Sequence, residues 1–195
     1  MTSPQLTIRR LDPGRAVVYR AMMLEAYTLH PEAFTSSVEE RADLPLSWWQ
    51  ERLDEAPDAM QVVLGAFQEE VLCGAAGILF AARAKERHKA ALFGMYVASR
   101  CRRLGVGRRL VASALAGARA RDGVRLLQLT VTQGNAAALA LYESFGFSTF
   151  GVEPDAVVVG GRFFDKVHMW RNLVSGDEAD PTGLAEGDRT NLKAA

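Results

Sequence analysis

Ten residues, Arg100-Cys101-Arg102-Arg103-Leu104-Gly105-Val106-Gly107-Arg108-Arg109, carry five arginines and two glycines and join two runs of different period. Upstream, Leu92-Phe93-Gly94-Met95-Tyr96-Val97 reads as a buried strand. Downstream, apolar residues recur at Val106, Leu110, Val111, Ala114, Leu115 and Ala118, the spacing of an amphipathic helix. A strand-to-helix junction of this composition is a place where a phosphorylated ligand can be held. The first turn of a helix presents unpaired N–H groups at the positive end of its dipole, and glycine lacks the Cβ that would keep phosphate away from the backbone.

Two nucleotide motifs are excluded by spacing. There is no Gly-x-x-x-x-Gly-Lys-Ser/Thr, and the third glycine of a dinucleotide fingerprint is missing, since Gly107 is followed by Arg108, Arg109 and Leu110. What remains, Arg102-x-x-Gly105-x-Gly107, is by itself equally compatible with a plain helix cap carrying solvated charge. The next sixty residues decide between these. Leu126 to Val131 reads as a strand, Gln133-Gly134-Asn135 precedes a helical run from Ala136 to Phe145, and Gly146 stops it.

Arg102-x-x-Gly105-x-Gly107 after Met95-Tyr96-Val97, followed by Asn135, Ala138, Leu141, Tyr142, Glu143 and Gly146-Phe147, resembles the GNAT superfamily of acyl-CoA N-acyltransferases over roughly residues 60–170. The resemblance implies an α/β fold with a mixed, mostly antiparallel central sheet and helices on both faces, and acetyl-CoA as acyl donor. It assigns coenzyme contacts to Met95, Tyr96 and Val97 (a strand edge free to pair with the pantetheine arm), to Arg102, Arg103, Leu104, Gly105, Val106, Gly107 and Arg108, and to Asn135, which is equally a helix N-cap. It places Tyr142 at the departing sulfur, where a phenol of pKa about 10 would donate a proton. The residues around it, Ala138, Leu139, Leu141 and Phe145, are core-like, so interfacial packing is the alternative role.

One position departs from the family pattern. The strand glutamate that serves many members as general base corresponds here to Ala91. His88, His168, Glu39 and Glu40 are candidate replacements, as is a water chain to backbone carbonyls. The acceptor site is expected from the loop Tyr27 to Ser37, with Tyr27 and Phe34 as contacts, and from the segment Glu153 to Gly161. Trp48 and Trp49 would wall that site or anchor short helices to the core. Glu32, Glu39 and Glu40 would attract a cationic amine, although glutamates at helix starts also suit the dipole. Two functions follow from the resemblance: an N-acetyltransferase acting on a primary amine (a small molecule, a protein N-terminus or a lysine) by direct attack in a ternary complex, or a non-catalytic acyl-CoA-binding regulatory module. Tyr142 favours the enzyme, because a binding module has no use for a phenol at the leaving group.

Composition narrows the classes further. The 195 residues are 49% hydrophobic with a formal net charge of zero, enough apolar content for one core and no global basic field for nucleic acid or an anionic membrane. No run approaches the ~20 apolar residues that span a bilayer, and the N-terminus lacks a signal-peptide core, so a cytoplasmic protein is expected, monomer or homodimer. Cys73 and Cys101 form no CxxC and signal neither a metal site nor a disulfide framework. Residues 1–174 read as the acetyltransferase domain; residues 175–195, with five acids, two bases and no aromatic residue, read as a flexible acidic tail.

Further elements are expected along the chain. Leu6 to Leu11 reads as an edge strand, and Asp12-Pro13 reads as an N-cap and first position of a helix reaching about Leu29. Capping boxes at Ser37-x-x-Glu40 and Ser47-x-x-Gln50 announce two short helices. A hairpin follows from Gln61 to Ala81, and the last strands run roughly from Ser148 to Glu153 and from Phe163 to Trp170.

Overall fold

A computed structural model describes residues 6–174. The expected tail, 175–195, lies outside the described residues. Strands β1 (Leu6–Arg10), β2 (Gln61–Gln68), β3 (Val71–Phe80), β4 (Lys89–Val97), β5 (Leu126–Thr132), β6 (Ser148–Val159) and β7 (Arg162–Asn172) form one sheet in the order β1-β2-β3-β4-β5-β7-β6. All neighbours are antiparallel except β4 and β5. The helices are α1 (Ala16–Leu29), α2 (Val38–Ala42), α3 (Leu46–Glu51), α4 (Val106–Ala120) and α5 (Ala136–Glu143). The expected mixed, mostly antiparallel sheet with helices on both faces is what the chain adopts.

Each face owes its cover to a hydrophobic stripe. The six apolar positions read from the sequence for α4 are all buried, packed against Ile78, Leu92, Leu127 and Met169. Truncating one of them, such as the fully buried Leu110, costs about 2–5 kcal/mol. On the opposite face α1 buries Tyr19, Met22, Met23 and Ala26, and α3 buries Trp49, against Val63, Phe67 and Tyr96. The β6–β7 hairpin turns on Gly160 and Gly161, whose φ values of 55° and 79° both require the left-handed region that a two-residue hairpin loop uses.

Several local expectations are corrected. Pro13–Arg15 forms a 3₁₀ turn, so the first helix begins at Ala16 and the Asp12 side chain caps nothing. Ser37 does form a capping box: its Oγ accepts from Glu40 N at 3.2 Å and the Glu40 carboxylate accepts from Ser37 N at 3.0 Å. Ser47 does not, because Pro45 with φ −64° sits at the N-cap and Ser47 falls inside the first turn. The segment Glu153 to Gly161 is mostly strand, not loop. Cys73 and Cys101, read as signalling no disulfide, are paired, with their Cα atoms 5.6 Å apart. Spacing could not show this: the pair forms because β3 runs beside the end of β4, where Ala98 N donates to Cys73 O at 2.9 Å.

Candidate active site

The site begins as a fault in the sheet. Parallel pairing of β4 with β5 covers only Lys89 to Ala91 against Leu126 to Gln128, after which the strands diverge and the edge from Leu92 to Val97 has no strand partner on that side among the described residues. The register between β3 and β4 slips at the same place, Ala75 opposing Tyr96 while Gly77 opposes Phe93, so β4 carries an extra residue. Gly94, with φ +57°, supplies the bulge. Backbone N–H and C=O groups are thereby left facing a cleft of about 830 Å³.

The junction between β4 and α4 closes one end of that cleft. Gly105 is the N-cap of α4 with φ +74°, and a Cβ built there would touch nothing within 4 Å, so its glycine is required by conformation and not by crowding. Arg103 is also left-handed, φ 64°, which is uncommon away from glycine. At Gly107 the reason reverses: a Cβ would press on Leu141 Cδ2 at 3.3 Å and Met95 Cε at 3.4 Å. The five arginines divide by task. Arg102, Arg103 and Arg108 line the cleft, whereas Arg100 donates to Leu72 O at 3.0 Å and Arg109 donates to Leu6 O, bracing the loop from behind. These features fit a phosphopantetheine-bearing coenzyme: a helix start with glycines and three cations for the phosphates, and an open strand edge for the amides of the arm.

Tyr142, 7% exposed, lines the cleft from α5, and its hydroxyl donates to Met95 Sδ at 3.3 Å across the gap. Burial pushes its phenol up to about 12. Asn135 is the expected N-cap, its side chain accepting from Ala138 N at 3.2 Å at the start of α5, and it lines the cleft. The far wall is the turn Pro31–Ala33 with Phe34, which follows α1.

The acetyltransferase (GNAT) family profile matches residues 23–147. The protein belongs to this family. Among solved structures, a GNAT-family acetyltransferase from Streptococcus pneumoniae superposes with a TM-score of 0.77 at 27% identity, covering 86% of this chain and 99% of its own. Ribosomal-protein-alanine N-acetyltransferase from Brucella melitensis gives 0.70 at 28% identity, covering 85% and 99%. An acetyltransferase from Salmonella typhimurium, solved with its cofactor acetyl-CoA, shares the fold with a TM-score of 0.70 at 23% identity over 95% and 99% of the two chains. No protein of curated function matches the sequence. As a GNAT acetyltransferase, this protein has acetyl-CoA as its donor.

Within the GNAT cleft stand Met95, Tyr96, Val97, Arg102, Arg103, Gly105, Val106, Gly107, Arg108, Asn135, Tyr142 and Phe34, all singled out from sequence. Two expected residues are not among its walls. Leu104 is 54% exposed on the outer side of the loop, and Tyr27 sits behind Phe34, edge-on to it with ring centroids 5.0 Å apart. Trp49 is core, and Trp48 lies under the guanidinium groups of Arg41 and Arg52 at 4.7 and 4.5 Å, so neither walls the cleft.

None of the four side chains considered in place of the strand base lines the cleft. Glu40 is engaged in its capping box, and His168 Nε2 pairs with Glu153 Oε2 at 3.0 Å. Glu32, expected to attract a cationic amine, is a wall residue, and His30 is another within the expected loop Tyr27 to Ser37; those missed by sequence reasoning include Thr132, Gln133 and Phe164. Thr132-Gln133 had a signal, lying directly before the Asn135 cap; Phe164 had none, since it reaches the cleft only through the pairing of β7 with β5. His30 Nε2 lies 2.9 Å from Arg102 Nη2, tying the end of α1 to the coenzyme loop. No helix among the described residues is long and apolar enough to cross a membrane.

Proposed function

We propose that the protein transfers acetyl from acetyl-CoA to a primary amine by direct attack in a ternary complex, with Tyr142 donating a hydrogen bond to the departing sulfur. The observation that carries this reading is the partner of the Tyr142 hydroxyl. A buried phenol ordinarily finds an oxygen or nitrogen acceptor, but here it rests on the thioether of Met95, a weak acceptor that a more basic sulfur would displace. With its pKa near 12, well above the ~8.5 of a thiol, the phenol stays protonated. It therefore stabilises a thiolate by hydrogen bonding without surrendering its proton, a more limited role than the ordinary phenol pKa suggested.

Of the three glutamates expected to attract a cationic amine, only Glu32 lines the cleft, which supports it as the carboxylate that draws the acceptor in. The amine must shed a proton before attack, and with Ala91 at the usual base position that proton leaves through water toward backbone carbonyls of the open β4 edge. The similarity to ribosomal-protein-alanine N-acetyltransferase makes a peptide α-amine one acceptor to test, beside lysine side chains and small amines. Thiol release from acetyl-CoA, measured across such a panel, is the deciding experiment. A saturable, amine-dependent signal is expected. Tight acetyl-CoA binding with no amine-dependent release from any member would replace the enzyme with the non-catalytic acyl-CoA-binding regulatory module.

A further inference from the structure

Lys166 on β7 is 4% exposed, yet among the described residues no carboxylate pairs with it. Its Nζ donates to Glu32 O at 2.9 Å, to Ala33 O at 3.0 Å and to Thr132 Oγ1 at 2.8 Å. The Thr132 hydroxyl, accepting from the lysine, donates its own proton to Glu32 O at 2.7 Å. The count closes. An ammonium has three N–H bonds and all three are used, the hydroxyl gives one and takes one, and the Glu32 carbonyl fills both lone pairs. A neutral amine has only two N–H bonds and cannot donate to all three acceptors, so the three donations together require the charged form.

This network ties the turn Pro31–Ala33, and with it Phe34, to the end of β5 and the middle of β7. Glu32, Ala33, Phe34 and Thr132 line the cleft while Lys166 does not; it grips the carbonyls of Glu32 and Ala33 and the Thr132 hydroxyl from behind. Burial pushes its pKa down, opposed by the nearby carboxylates of Glu32 and Glu153. We infer that Lys166 is a positioning residue for the acceptor: its ammonium latches the segment Pro31–Phe34 in the conformation that receives the amine. The inference rests on the proposed function for its kinetic part, but its structural part stands apart from it.

The test is Lys166→Met, which keeps the stem and removes the cation. Deuterium exchange at the amides of Ala33 and Phe34, which close this turn onto His30 O and Pro31 O, should accelerate by about 10-fold or more, with amides of α4 unchanged. In turnover, KM for the amine should rise about 10-fold, with kcat and acetyl-CoA affinity within about 3-fold of the parent. Unchanged exchange in the folded variant overturns the latch. So does acceleration spread over the whole sheet, and an unchanged amine KM beside faster local exchange overturns the positioning role. If Lys166→Met does not fold, Thr132→Val removes the shared hydroxyl and should accelerate the same two amides while Thr132→Ser restores them; equal exchange in all three overturns the inference. A parent that releases no thiol with any amine refutes the proposed function, and exchange then decides the latch alone.

Discussion

The two walls of the cleft, which the proposed function assigns to donor and acceptor, are built by different means. The donor wall, from Met95 through the loop to Arg108 and on to Tyr142, is made by neighbours in sequence: a bulged strand, a left-handed glycine, a helix start, a cap. The acceptor wall is made by residues far apart, with Lys166 gripping a carbonyl 134 positions away and Thr132 one that is 100 positions away. The donor wall must recognise the same coenzyme whatever the acceptor, and backbone geometry serves that purpose. The acceptor wall hangs on side-chain contacts between distant elements, so it can change without disturbing the loop.

That contrast is open to breakage. The largest expected effect is on the donor side. Gly105→Val should weaken acetyl-CoA binding by more than about 100-fold in calorimetry with the fold retained, because a β-branched residue resists φ +74° while its side chain meets no protein atom. Retained affinity in the folded variant would remove the backbone cradle from the argument. Next, Tyr142→Phe should lower turnover by about 10- to 10⁴-fold and leave acetyl-CoA affinity within a few-fold, since only the hydroxyl is lost. Parent-like turnover would return Tyr142 to packing.

A smaller effect probes both walls together. Burial pushes the phenols of Tyr19, under the acceptor side, and Tyr142, on the donor side, up to about 12. Their folded-state pKa values exceed the unfolded value near 10, so their contribution is complete below about pH 10 and is lost as pH rises from there through 12. Each is worth about 3 kcal/mol. Absorbance at 295 nm should show neither ionising near pH 10 while the protein stays folded, and Tyr19→Phe and Tyr142→Phe should each flatten the alkaline loss of stability. Ionisation at pH 10 without unfolding would show either ring to be wetter than its packing implies. The smallest effect is Ser37→Ala, expected to cost about 1 kcal/mol by thermal melting with unchanged acetyl-CoA affinity, because this cap is a local device on the acceptor side. A change in donor affinity there would couple the two walls.

How far each wall was legible follows from the same contrast. Gly105 and Gly107 announce a strained, close-approach junction wherever they occur, the α4 stripe repeats at helical spacing, and Asn135 caps the run that follows it; such signals are complete within a dozen residues. Ser47-x-x-Gln50 misled because the neighbouring Pro45 had already set the helix start. Leu104 belonged to the right loop, but the direction of a side chain in a loop is not written in spacing. Tyr27 and Phe34 were both placed at the acceptor site, and packing put one ring behind the other.

By itself, the sequence determined the donor wall and the order of elements, since left-handed glycines, helix caps and hydrophobic periods are properties of short stretches of backbone. Only the tertiary structure decided that Cys73 meets Cys101, that Arg100 and Arg109 brace the loop while Arg102, Arg103 and Arg108 face the cleft, and that a buried ammonium on the last strand holds the turn after the first helix. Those outcomes depend on where the sheet brings distant residues side by side, and a buried polar group finds its partners only once the chain has closed around it.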